Sequence, residues 1–246
     1  MARKKTPLPT AAPTADLGAP GGIRPVATAL LDLNPEHEPG RIRAIFDRLR
    51  AAMPEPRTEL AYSDPFTLLV AVVLSAQATD VGVNKATGPL FAVANTPVAI
   101  LALGEERLRD FIKTIGLFNT KAKNVLGLCA MLVELYGGEV PRDRALLEAL
   151  PGVGRKTANV VLNTIWGEPV VAVDTHVFRV SNRLAIASGA TPLAVELGLE
   201  TAIPPEFMRD AHHWLILHGR YTCLARRPLC ATCPVSNLCP WPEKTA

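Results

Sequence analysis

The chain has 246 residues, 48% of them apolar, enough for one large or two modest domains with a buried core. Its 26 Lys and Arg against 23 Asp and Glu leave a formal charge of only +3, which excludes a bulk-basic polyelectrolyte, so any nucleic-acid surface must come from clustering. No apolar stretch approaches the ~18–20 residues of a membrane span and the amino terminus lacks the apolar run of a signal peptide, so a soluble protein of a reducing cytoplasm is expected.

Residues 1–39 begin Met-Ala-Arg-Lys-Lys and continue through a stretch rich in Pro, Ala, Thr and Gly, the composition of a disordered tail. Helical periodicity starts near Gly40, where Ile42, Ile45, Phe46 and Leu49 recur until Pro54. Ser63-Asp64-Pro65 caps a helix from Phe66 to Gln77 that is apolar on every side and therefore belongs at the centre of a domain. Asp80 opens another helix, Thr96-Pro97 a third, and Leu108, Phe111 and Ile112 stripe a fourth. Beyond the break at Ile115-Gly116-Leu117-Phe118-Asn119, a long helix carries Ala122, Val125, Leu126, Cys129, Leu132 and Val133 on one face and stops at Gly137-Gly138.

The next stretch, Leu147-Glu148-Ala149-Leu150-Pro151-Gly152-Val153-Gly154-Arg155-Lys156-Thr157, reads as a helix-hairpin-helix. Leu147 and Leu150 share a face of a short helix that Pro151 ends, Gly152 and Gly154 permit a tight turn, and a second helix starts at about Arg155. The unpaired amides of that helix's first turn point at an anion, and DNA phosphate is the obvious one. Lys156 sits where the positive end of a helix dipole disfavours an ammonium. Phosphate contact, exposure to solvent and nucleophilic attack are all open to it. The last requires its pKa to fall from ~10.4 to ~7–8, at a cost of roughly 4 kcal/mol met by desolvation and nearby positive dipoles.

After Gly167 only Val170 to Val173 resembles a strand, and one short strand builds no sheet. Helices resume through Leu184, after Thr191-Pro192, and from Phe207 to His218, so the chain is expected to be all-α. Asp174 suits the N-cap of the first of these, a role compatible with a carboxylate that stabilises positive charge or deprotonates an amine. His176, in the same turn, reads equally as a structural imidazole or as a polar orienting group.

Four of the five cysteines, Cys223, Cys230, Cys233 and Cys239, form a C-x6-C-x2-C-x5-C segment. That crowding is a ligand set for one metal centre, not a disulfide scaffold. Thiolates suit zinc and iron–sulfur clusters alike, and spacing alone does not choose. Arg220 precedes the segment and Arg226 and Arg227 lie inside its first loop, which would present a positive edge to phosphates. Lys121 and Lys123, beside the Leu117 turn, are expected to extend that basic face from the surface.

Leu-Pro-Gly-Val-Gly-Arg-Lys-Thr-Ala, then Val-Asp-Thr-His-Val-Phe-Arg, then the spaced cysteines make the stretch from about Pro39 to Pro240 resemble the endonuclease III family of bacterial DNA glycosylases and AP lyases for oxidised pyrimidines. The resemblance implies two helical domains flanking a cleft: a six-helix domain over 58–169 that holds the hairpin (about 146–163), and a cluster domain assembled from 40–57 plus 170–246. It implies a [4Fe-4S] cluster on the four cysteines. It makes Lys156 the amine that attacks the sugar, Asp174 the assisting carboxylate, and Gln77 and Leu117 the side chains that fill the hole left by an everted base. Gly152, Gly154, Arg155, His176 and Arg220 are then DNA-binding residues. The implied partner is double-stranded DNA containing damaged pyrimidines or abasic sites, met by a monomer at the nucleoid of a bacterial or archaeal cytoplasm. The long tail departs from the family's short-tailed members. Two rivals stand beside this reading. A mismatch adenine glycosylase would lack the lysine and carry a further recognition domain; a noncatalytic helix-hairpin-helix module would need only the hairpin and the metal loop.

Overall fold

The computed structural model describes residues 39–245. The tail expected to be disordered lies outside the described residues, apart from Pro39, which opens the first helix. Among the described residues there is no strand. The described residues form ten α-helices in sequence: α1 (Pro39–Ala52), α2 (Pro65–Ser75), α3 (Asp80–Val93), α4 (Pro97–Ile112), α5 (Phe118–Tyr136), α6 (Arg144–Glu148), α7 (Arg155–Trp166), α8 (Thr175–Arg183), α9 (Pro192–Ala202) and α10 (Met208–Tyr221).

Two hydrophobic cores organise them. The first is built round α2, whose start is fixed by a capping box between Asp64 and Thr67 and whose residues 66 to 74 are all buried. Apolar side chains on every face leave such a helix nowhere stable but the middle, and α3 to α7 cover it. The second core joins α1 to α8, α9 and α10 around Phe46, Phe207 and Trp214, whose ring centroids lie 5.6 to 6.2 Å apart. The extended segment before α8 runs between the two: Ala172 packs into the first core, and Val171 and Val173 into the second. Alternation along extended chain explains why this stretch reads as a strand although it pairs with nothing.

Three local expectations need correction. The third and fourth predicted helices are the halves of α4, broken at Gly104, where φ is 73°. α2 ends at Ser75, so Gln77 lies beyond it. The buried face of α5 includes Leu128 and Lys121, whereas Val133 is exposed, because the helix turns its 121-125-128-132 row toward the core. No single helix among the described residues is long and apolar enough to cross a membrane; α3 and α4 reach that length only as a pair bent by 115°.

Candidate active site

Where α2, α3 and α7 of the first core face α8 and α10 of the second there is a cavity of about 430 Å³. Lys156, Asp174, Asp80, Gln77, His212 and Arg220 all line it. Lys156 is placed there by the hairpin. Gly154, in extended conformation, caps α7 without a side chain, so the first-turn amides meet no capping oxygen and Lys156 leaves the helix at its second residue. Burial pushes the Lys156 ammonium below its ordinary value, and Arg220 pushes the same way against the opposing pull of Asp174 and Asp80. Lys156 takes part in none of the ion pairs among the described residues. Desolvation and the lack of an ion-pair partner are the conditions under which a lysine amine gains nucleophilic character.

Asp174 is the N-cap of α8, and one oxygen does all the capping: Oδ1 accepts from the amides of His176 and Val177, both at 2.8 Å. Oδ2 accepts no hydrogen bond among the described residues, so capping leaves half of the carboxylate for the cavity. His176 also lines the cavity, its Nδ1 3.3 Å from Arg179 Nη2. Arg179 in turn donates to the carbonyls of Gly219 and Cys223, which ties the start of α8 to α10 and to the cysteine loop.

In the hairpin turn Gly152 has φ 78°, and a side chain there would also press on Asn124 of α5. Gly154 is exposed beside it. The Arg155 guanidinium, although partly exposed, is engaged by Glu196 of α9, and its backbone amide lies in the uncapped first turn of α7. Arg220 is likewise engaged, by Asp80 and Glu59, with Tyr221 donating to Glu59 alongside. Gln77 and Leu117 are exposed and both hold left-handed backbone, φ 55° and 60°, which non-glycine residues adopt rarely and at a cost of roughly 1–2 kcal/mol. Their turns are neighbours, since the Gln77 carbonyl lies 3.9 Å from a β-carbon built on Gly116. Lys123 is exposed as expected, but Lys121 is only 4% exposed, its Nζ has no hydrogen-bond partner, and burial lowers its pKa. It is not a surface lysine.

Sequence reasoning missed Asp80 and His212. Asp80 read only as a helix opener, and α3 is in fact capped by Thr79, which leaves the Asp80 carboxylate free for Arg220. His212 lies wholly inside α10, burial holds it well below its usual pKa, and its Nδ1 has no partner.

The four C-terminal cysteines are free and half-buried, and they surround one void together with Arg183, His218 and Trp241. No group of three His, Cys, Asp or Glu among the described residues is close enough to hold a single metal ion. Thiols that ring a space without converging on a point fit a polynuclear cluster better than zinc, whose ligands all stand ~2.3 Å from one centre. Burial pushes the thiols of Cys233 and Cys239 up, so thiolates there need a cationic partner, which cluster iron supplies. Arg183 stacks on Trp241 at 4.0 Å, lies 3.5 Å from Cys223 Sγ, and donates to the carbonyls of Leu224 and Ala225.

An amine and a carboxylate in a cleft beside a glycine hairpin define a protein of the class described as HhH-GPD superfamily base excision DNA repair proteins, whose family model matches residues 70–205. Residues 223–239 match the iron–sulfur binding domain of endonuclease III. The chain is 60% identical over 200 residues to endonuclease III of Escherichia coli strain K12, covering 81% of this chain and 95% of that one. It is 56% identical over 198 residues to endonuclease III of Treponema pallidum, covering 80% and 94%. Among solved structures, a trapped endonuclease III–DNA covalent intermediate matches with a TM-score of 0.78 and 48% identity, over 82% of this chain and 96% of that chain. The chain belongs to the endonuclease III family, whose enzymes are DNA glycosylases with AP lyase activity, and its cofactor is a [4Fe-4S] cluster.

Proposed function

We propose that this protein excises oxidised or ring-saturated pyrimidines from double-stranded DNA and nicks the strand at the resulting site, with Lys156 as nucleophile and Asp174 as its carboxylate. The observation that carries the reading is that a desolvated amine outside every ion pair shares its cavity with the uncapped oxygen of Asp174. At about 430 Å³ the cavity suits one everted nucleoside.

The amides of the Gly152–Arg155 turn and the exposed Arg226 and Arg227 hold backbone phosphates. Gln77 and Leu117, exposed on their two adjoining turns, enter the stack where the lesion stood. Neutral Lys156 attacks C1′, and the electron pair of the glycosidic bond leaves with the base, which takes up a proton. Asp174 balances positive charge on the sugar or accepts the proton of the attacking amine. Ring opening and loss of the second amine proton give an imine. Loss of a C2′ proton then expels the 3′ phosphate, and hydrolysis of the imine frees the lysine. When bound to Cys223, Cys230, Cys233 and Cys239, the cluster supplies iron–thiolate bonds that close their loop. His176 and Arg220, at the cavity wall, orient the sugar and phosphate flanking the everted nucleotide.

The two cores support two domains, 58–169 and 40–57 plus 170–246. The protein acts as a monomer at the bacterial or archaeal nucleoid. Borohydride trapping on a duplex carrying thymine glycol or an abasic site tests the mechanism: a covalent adduct is expected with the intact protein and none with Lys156→Gln. An undiminished adduct in the variant would remove the lysine from the reaction.

A further inference from the structure

Arg144 and Arg155 stand at the starts of α6 and α7, the two helices of the hairpin, and both reach one carboxylate, Glu196 of α9. Arg155 holds it by a fork: Nε lies 2.9 Å from Oε1 and 3.1 Å from Oε2, and Nη2 lies 2.7 Å from Oε1. Arg144 Nη1 stands 3.8 Å from Oε1. The Glu196 side chain is only 5% exposed, against 37% and 38% for the two arginines. One turn further along α9, Glu200 has a buried Oε1 without a partner, and burial together with Glu196 raises its pKa.

The platform under Glu196 is tightly seated. A β-carbon on Gly198 would lie 2.8 Å from the Ala187 β-carbon, and one on Gly189 would lie 3.0 Å from that of Ala194, so α9 has no room to slide over the chain before it. Burying an ion pair is a poor way to gain stability, since desolvation opposes the attraction. A planar guanidinium locked on both carboxylate oxygens does, however, fix direction as well as distance. Arg155 is the residue next to Lys156, and it joins a helix of the first core to a helix of the second.

We propose that Glu196 is a positioning residue for imine formation: by gripping Arg155 and Arg144 together, it locks both hairpin helices to α9 and so fixes where the Lys156 amine stands relative to Asp174. The proposal rests on Lys156 being the nucleophile. It assigns no contact between Glu196 and DNA.

The test compares cluster-loaded wild type and Glu196→Gln in single-turnover borohydride trapping on a duplex with one abasic site, over a range of enzyme concentrations. The rate at saturation is expected to fall roughly tenfold or more while the half-saturating concentration stays within about twofold, because the amine is misplaced and the phosphate grip is not. Arg155→Lys keeps the charge and loses the fork, so it should show the same fall, and the double variant should be no slower than either single one. If Glu196→Gln does not fold or load its cluster, Arg144→Gln carries the test, with a fall at saturation of roughly twofold expected from its longer, half-exposed contact. A saturating rate equal to that of wild type, with any loss confined to melting temperature or half-saturation, overturns the proposal. Absence of an adduct in wild type would instead defeat the nucleophile reading beneath it.

Discussion

Gly219 of α10 and His176 of α8 meet so closely that a β-carbon on the glycine would stand 2.8 Å from the β-carbon of the histidine and 3.1 Å from Val180 Cγ2. The contact sets the distance between the helix that carries Arg220 and the helix that Asp174 caps. Gly219→Ala is therefore expected to push α8 outward, costing about 1–3 kcal/mol of stability by overpacking. Urea unfolding measures the loss. Borohydride trapping should slow in the folded fraction, because Asp174 moves with its helix.

Lys156 gives a pH dependence whose sign is fixed by burial. Its folded-state pKa lies below the ordinary 10.5, so between those two values the unfolded chain binds a proton that the folded chain does not, and stability rises with pH across that window. Lys156→Met removes the effect. The variant should melt higher than wild type at neutral pH, and the gap should close as pH climbs toward 10.5. In wild type the trapping rate should rise with pH to a plateau whose midpoint falls below 10.5. A midpoint at or above that value would contradict a desolvated amine.

Gly152 has both a positive φ of 78° and a neighbour, Asn124, 3.0 Å from any added β-carbon. Gly152→Ala should cost about 1–2 kcal/mol in backbone strain alone. Since the same turn aims the α7 amides, binding to an abasic duplex, read by fluorescence anisotropy, should weaken several-fold by a rough expectation for misaligned donors.

The cysteine loop offers a fourth outcome. Cys233→Ser should lower iron per protein and visible absorbance together, and it should loosen the 223–239 loop. Arg179 and Arg183 anchor α8 to that loop through the carbonyls of Cys223, Leu224 and Ala225. Trapping should therefore fall in the variant even though no cysteine lines the cavity that holds Lys156. Iron analysis and trapping on the same preparation check both.

What could be read from the chain alone was whatever is local. Capping at Asp64 and Asp174, the glycine turn at 152–154 and the cysteine spacing each write their structure within a few residues, and the helices stand where those signals put them. Long-range partners leave no such trace. Glu196 is 41 residues from Arg155, and Asp80 is 140 from Arg220, so both arginines read as ordinary basic residues until the fold supplies their carboxylates. Lys121 illustrates the opposite error: a lysine beside basic neighbours reads as surface, and only the rotation of α5 shows it buried. Backbone strain at Gln77 and Leu117 is equally invisible in the letters.

Those two strained turns carry a consequence for how such an enzyme could change over generations. Glycine at 77 or 117 would relax the backbone and leave the cores untouched, so selection for heat resistance alone would favour it. The same replacement would delete the side chain proposed above to fill a disrupted base stack. A lineage adapting to hotter surroundings must therefore look to its helices and loops for added robustness and leave both turns under tension.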